Sequence, residues 1–510
     1  MKKESLSDKK AFAYLALFAF IILFFISPDS YTHELYFRVD SGCFFTGGKA
    51  WMSGMVPYID FADSKGPLLW LIYGVGYLIS HYDYIGVFWL SVVSYAITYF
   101  ISYKAALLLV GDKAKAFICA ILMSAAFFFP HVFHEMRAEN FGHLFIMLTL
   151  YHTLKLLTKR SLRTKAVCQS FFAYGIAFGA TLLMKYSFTV MLVPMMLYGV
   201  YGVIRQRRKV LIPLLAATAG ALTVILPFLV YFITAGNLNA FIQEYFINTM
   251  KTVTPEGNPL VAYLHEWATA LKTRHILVLF VMLMAGTIAI ATSLNKHRLF
   301  PTLCVLFMFA IGVRHFSAYH NYYFNAASVG LFFLFAFAVK KIPVAWRPWK
   351  MAAVTAIVLI GTTAAVIYSS PTYHIMFWQN NKARKDIYII AHLVKQVENA
   401  KFINLYSCGT GIETPSGALP GCKYWILQDG ATPEMEQSQA ALIKEADFVY
   451  IKFWDRAAKN GITFEKMQEM GFHLCYKLYD ARLFTKHNVR LSKHHKTPSN
   501  WDILLKREVE

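Results

Sequence analysis

The chain has 510 residues, of which 57% are hydrophobic and only 15% charged, and its 50 Lys and Arg against 29 Asp and Glu give a formal net charge of +21. Soluble proteins of this length carry roughly 25% charged residues, so the composition argues against a soluble enzyme. Nor does the positive charge indicate nucleic acid: the basic residues stand in short clusters between apolar runs of about 17–25 residues, the length of a bilayer crossing.

Residues 1–10 are polar and basic, and an apolar run follows at 11–26. Ser27-Pro28-Asp29 offers no small-x-small cleavage site, which predicts an uncleaved anchor. Next comes a loop holding Asp40, Asp60, Asp63 and Lys65, then an apolar run at 67–80 of about 14 residues, too short to cross comfortably and so expected to lie re-entrant or on the surface. Further spans are predicted at 84–107, 116–129, 141–157, 167–184, 187–204, 211–234, 276–293, 300–313, 323–339 and 352–368, about eleven in all. Between them, 235–275 repeats Leu238, Phe241, Ile242 and Tyr245, then Leu260, Leu264, Trp267 and Leu271, at helical spacing, as an interfacial segment does. After 369 the charge density rises and helices near 382–397, 434–445 and 464–470 alternate with strands near 401–406, 447–453 and 474–484, the pattern of a small α/β domain with a largely parallel sheet. The expected organisation is a membrane domain over 1–370, an α/β domain over 371–490 and a basic tail over 491–510.

The basic clusters at 2–10, 113–115, 155–165, 205–209, 296–298 and 340–350 all fall on one side if the N-terminus is cytoplasmic. The other side, expected to be extracytoplasmic, then carries the first loop, 130–140, the turn at Lys185, 235–275, 314–321 and the α/β domain. Lys65, Arg137, Lys185 and Arg314 lie there against the general bias, which points to an anion such as the phosphate of a lipid-linked substrate; snorkelling to lipid headgroups is the other reading. The acids on that face are Asp40, Asp60, Asp63, Glu135 and Glu139. Separated carboxylates there can take a proton from an acceptor or hold a divalent cation, as against serving as solvated loop acids. His131 and His134 share a helical face with Glu135 without forming H-E-x-x-H. Cys408 and Cys422 flank a Gly/Pro-rich loop and are either a disulfide or two thiols. No P-loop, G-x-G-x-x-G or G-x-S-x-G occurs, so no nucleotide cofactor is expected.

The order of basic N-terminus, one span, Asp40, and then Gly54-Met55-Val56-Pro57-Tyr58-Ile59-Asp60-Phe61-Ala62-Asp63-Ser64-Lys65-Gly66-Pro67 resembles the first outer loop of GT-C membrane glycosyltransferases, in the branch of protein O-mannosyltransferases and the lipid A aminoarabinose transferase. The resemblance implies a polyprenyl-phosphate-linked sugar donor used at the extracytoplasmic face of a bacterial cytoplasmic membrane. It implies Asp40 as catalytic base or metal-positioning acid, Lys65 near the donor phosphate, and Glu139 as the acid opening a later span, with Asp40 and Glu139 as candidate ligands of a divalent cation. It further implies Lys185 at an outer span end and His320, with Tyr322 and Tyr323, as a loose match to a His-Tyr element. Tyr58, Asp60, Asp63, Arg137 and Arg314 complete the candidate substrate-binding set. The chain departs from the pattern where Ser41 follows a single acid, where the second acid is Glu, and where Gly66 replaces a common proline.

The expected function is thus inverting transfer of a sugar to a glycan, lipid or protein acceptor, with membrane lipid and no nucleic acid as partners. The rivals are an O-antigen polymerase or ligase, which calls for a large outer loop rich in arginine and histidine, and a transporter or flippase, which calls for mid-span charges and repeated halves.

Overall fold

The computed structural model describes residues 6–31, 39–130, 133, 136–159, 161–250, 258–291, 294, 297–314, 321–343, 348–370, 373, 385–406, 411–427, 432–452, 454–478 and 481–489. His131, His134, Glu135, His320 and Cys408 lie outside this set.

The helical part runs α1 Asp8–Ile26, α2 Val39–Met52, α3 Pro67–Ile79, α4 Ile85–Val110, α5 Lys113–Leu122, α6 Ser124–Phe127, α7 Ala138–Thr158, α8 Thr164–Met184, α9 Tyr186–Arg205 and α10 Leu211–Thr234. Then follow α11 Leu238–Phe241 with a π-helical turn Ile242–Asn248, α12 Pro259–Lys272, α13 Arg274–Ala291 and α14 Leu299–Arg314. A 3₁₀ turn Asn321–Phe324 leads through α15 Asn325–Ser328 and a second 3₁₀ turn Val329–Leu331 into α16 Phe332–Lys340, and α17 Pro348–Ser369 closes the bundle.

Each predicted span is helical. Among the described residues, eight helices are long and apolar enough to cross a membrane. The count of about eleven also took in 116–129, 141–157 and 300–313. The first is broken at Met123 between α5 and α6, α7 carries Glu139, Asn140, His143 and His152, and α14 is a shorter apolar helix. In the helical part, one long helix was not predicted. α2 occupies part of what reads as a loop, because Gly42, Gly47 and Gly48 lower its helix propensity. Gly48 admits α3 instead: a Cβ there would meet Gly74 N at 2.4 Å. α2 therefore packs tightly along α3, and its first turn presents Asp40.

The C-terminal unit contains α18 Lys385–Val394, β1 Lys401–Leu405, α19 Glu413–Ser416, β2 Leu419–Pro420, α20 Pro433–Ala441, β3 Phe448–Ile451, α21 Trp454–Lys459, α22 Phe464–Glu469, β4 His473–Leu478 and β5 Ala481–Thr485. The sheet order is β2-β1-β3-β5-β4. β2-β1-β3 is parallel, and β3-β5 and β5-β4 are antiparallel, so the sheet is mixed rather than largely parallel. The run 474–484, predicted as one strand, is the β4–β5 hairpin. Phe402, Ile403, Phe448, Val449, Leu483 and Phe484 are buried in its core. Cys422 is a free, buried thiol.

This unit sits on the loop between α2 and α3. Ala62 N donates to Lys423 O at 2.9 Å, and the Lys423 ammonium pairs with Glu244 of the π-helical turn at 2.5 Å. Tyr424 Oη donates to the same Glu244 carboxylate at 3.0 Å, and Tyr84 Oη lies 2.9 Å from Thr414 Oγ1. A Cβ on Gly42 would meet Gly411 Cα at 3.1 Å, so α2 and the sheet unit touch backbone to backbone.

Candidate active site

The charged side chains gather where the α2–α3 loop, the start of α7, the α8–α9 corner and the turn Asn321–Phe324 meet. Asp40 lies in the first turn of α2 and Glu139 in the first turn of α7, where the helix dipole favours an anion. Each carboxylate has a cation. Arg137 Nε lies 2.8 Å from Asp40 Oδ2, and Lys185 Nζ lies 2.6 Å from Glu139 Oε1. Lys185 is the single extended residue between α8 and α9, a corner that aims its side chain across to α7. Both pairs are largely withdrawn from solvent, which strengthens the attraction within each pair.

Two tyrosines tie the pairs together. The Arg137 guanidinium lies 3.8 Å from the Tyr322 ring centroid, the Lys185 ammonium lies 4.0 Å from that of Tyr323, and the two rings stack at 4.6 Å. Such contacts hold cations in place at about 0.5–2 kcal/mol each.

Lys65 faces this cluster from the loop. Its Nζ donates to Ser64 Oγ at 3.1 Å, and Ser64 N–H in turn donates to Asp63 Oδ1 at 2.5 Å. Burial alone would lower the Lys65 pKa, but the field of Asp63, then of Asp40, Tyr323 and Glu139, outweighs it and raises the pKa above the ordinary lysine value. Lys65 is thereby a fixed positive charge. The loop is locked from behind: Gly66 N–H donates to Met184 O at 3.0 Å, next to Lys185, and Tyr245 Oη bridges Leu182 O at 2.7 Å and Tyr186 N at 3.0 Å.

Of the candidate residues, Asp40, Asp63, Lys65, Arg137, Glu139 and Lys185 thus come together. Tyr58 and Asp60 shape the loop itself. Tyr58 has a left-handed backbone (φ 68°), a fully buried ring against Trp70, and a hydroxyl donating to Lys65 O at 3.1 Å. Asp60 Oδ2 accepts from Val56 N at 2.7 Å. Arg314 ends α14, but its side chain lies outside the described part, as does His320. Sequence reasoning missed Tyr73, whose hydroxyl reaches Met136 O at 2.5 Å and Ser41 Oγ at 3.5 Å and so fastens α2, α3 and the approach to α7 together.

Asp40 and Glu139, the candidate ligands of a divalent cation, are each paired with a cation in this arrangement. Among the described residues no group of three or more His, Cys, Asp or Glu side chains gathers.

Residues 64–231, about a third of the chain, match the family model of dolichyl-phosphate-mannose-protein mannosyltransferases, a stretch that includes Lys65, Arg137, Glu139 and Lys185. No curated protein matches the chain in sequence. The fold is similar to that of ArnT from Cupriavidus metallidurans. Against the structure bound to undecaprenyl phosphate, the TM-score is 0.62 at 10% identity, covering 94% of this chain and 97% of that one. Against the apo structure, it is 0.63 at 11% identity, covering 93% and 97%. The chain thus shares its fold with ArnT, and the sequence match to the mannosyltransferase family lies within the helical part of that fold.

Proposed function

We propose that the chain transfers a sugar from a polyprenyl-phosphate donor to an acceptor at the extracytoplasmic face of a bacterial cytoplasmic membrane, by inverting displacement. The observation that carries this reading is the grouping of two ion pairs, Asp40–Arg137 and Glu139–Lys185, around a third cation, Lys65, held charged by its acidic neighbours. A phosphodiester whose lipid stays in the bilayer needs cations at the membrane surface, and Lys65 supplies one, with Lys185 and Arg137 beside it. The fold match to ArnT, in a structure bound to undecaprenyl phosphate, supports the donor class.

The acceptor oxygen or nitrogen attacks the anomeric carbon and gives its proton to an Asp40 carboxylate oxygen. The bond from that carbon to the phosphate oxygen breaks, and the electron pair leaves on the lipid phosphate, where Lys65 and Lys185 stabilise the growing negative charge. Glu139 is the positioning acid: through its 2.6 Å contact it sets where the Lys185 ammonium stands. Tyr322 and Tyr323 lay their rings against Arg137 and Lys185 and help to hold both cations in place. The mixed-sheet unit, clamped on the loop through Lys423 and Glu244, borders the acceptor side.

The test is incubation of the purified chain with a panel of polyprenyl-phosphate sugars while released polyprenyl phosphate is followed. Release with one donor supports the reading; none with any donor, in protein that binds polyprenyl phosphate or not, counts against it.

A further inference from the structure

One basic side chain stands apart from the transfer centre. Lys49 lies in the last turn of α2, nine residues beyond Asp40 and so about 13 Å along the helix. It is 6% exposed. Lys185 is nearly as buried, but it has a carboxylate; Lys49 has none among the described residues, and its charge meets only the Tyr77 ring face, 5.9 Å to the centroid. Burial lowers its pKa to about 8, with no acid nearby to restore it.

The surroundings are cationic and aromatic. Gly417 ends α19 with φ +70°, and a Cβ there would meet Tyr82 Cε1 at 2.8 Å and Lys49 Nζ at 3.2 Å, so the ammonium and the ring wall one small space. Lys395, one residue past α18, lays its ammonium 4.1 Å from the Tyr82 centroid. His81 packs edge-on against Tyr77 at 4.8 Å. Of the acids on these elements, Asp83 caps α4 through Ile85 N at 2.9 Å and Glu413 lies 3.5 Å from Asn404 Nδ2, and neither forms an ion pair with Lys49. Beside the cluster, Leu78, Ile79 and Tyr82 are all more than half exposed at the end of α3.

We propose that Lys49, Lys395 and His81 form a second anion subsite, for a phosphate group, at the junction of α2, the α3–α4 connection and the sheet unit. A phosphate there supplies the counter-charge that Lys49 lacks, and hydrogen bonds to ammonium groups are strongest when the acceptor is charged. The apolar rim of Leu78 and Ile79 favours a phosphate carried on an anionic lipid headgroup, with acyl chains against those side chains. This inference does not depend on the transfer reaction.

The test uses the full chain in nanodiscs and follows acylation of Lys49 by a soluble amine reagent at pH 7, by peptide mass spectrometry, with exposed Lys459 as the internal reference. Three conditions are compared: phosphatidylcholine alone, phosphatidylcholine with phosphatidylglycerol, and phosphatidylcholine with millimolar inorganic phosphate. Bound anion slows Lys49 acylation about tenfold for each pKa unit it restores, while Lys459 is unaffected. Protection by phosphatidylglycerol alone assigns the lipid headgroup, and protection by inorganic phosphate assigns free phosphate. Equal labelling in all three conditions overturns the subsite. Lys395→Met and His81→Ala weaken the protection without touching Lys49; full protection in both variants would also overturn the subsite as drawn.

Discussion

Gly66 is where the Lys65 loop meets the α8–α9 corner, and it has no room for a side chain. A Cβ at this position would lie 2.1 Å from Leu183 O and 2.8 Å from Tyr245 Oη. Carbon and carbonyl oxygen approach no closer than about 3.3 Å, so Gly66→Ala forces loop and corner apart by about 1 Å. The φ of −83° suits alanine, so the effect is displacement rather than backbone strain, and because the main obstacle is backbone no rotamer change absorbs it. Overpacking of this kind costs about 1–3 kcal/mol of stability. The displacement also separates Lys65 from Lys185, and a 1 Å error in positioning costs about a hundredfold in rate. Gly66→Ala is therefore expected to stay folded, with a melting temperature a few degrees lower, while turnover of the donor drops about a hundredfold. Gly361→Ala in α17, where a Cβ meets nothing within 4 Å, is the control and changes neither. Wild-type turnover in Gly66→Ala would refute the claim that the spacing of Lys65 and Lys185 sets the rate.

Lys185→Met leaves Glu139 buried without its cation and is expected to destabilise the fold by about 3–5 kcal/mol in detergent unfolding. Adding Glu139→Gln recovers much of that loss, and strictly additive effects would contradict the pairing. Glu413 is a second buried acid, and burial raises its pKa to about 7 from 4.5. The folded state then binds this proton more tightly than the unfolded one, so the contribution is full below about pH 4.5 and is lost as pH rises through 7. Glu413→Gln should remove that slope and raise the melting temperature at pH 8; an unchanged pH profile would show that Glu413 is charged in place. Because Arg137 and Lys185 already engage Asp40 and Glu139, donor turnover is expected to be unchanged in excess EDTA, and loss of activity restored by magnesium or manganese would contradict this.

The spans were legible because a bilayer demands long apolar runs and the chain has little else between its basic clusters. α2 was not, since its three glycines read as turn residues and their use, close approach of Gly47 and Gly48 to α3 and of Gly42 to the sheet unit, exists only in the folded chain. The β4–β5 hairpin was hidden as well, because apolar residues recur on both sides of the reversal in 474–484 and no Gly or Pro marks it. At the site, the residue types were visible as charges at span ends. The pairing of Asp40 with Arg137 was not, because it joins residues far apart in the chain. Tyr58 and Asp60 read as ligand-facing from their place in the motif, yet the left-handed turn at Tyr58 consumes both.

The central claim is that Asp40 receives the acceptor's proton inside this cluster of paired charges. Its most direct test is single-turnover release of polyprenyl phosphate from a productive donor by wild type and by Asp40→Asn, alongside polyprenyl-phosphate binding by both. The account predicts that Asp40→Asn still binds the lipid phosphate and releases none above background. Release at the wild-type rate would contradict it.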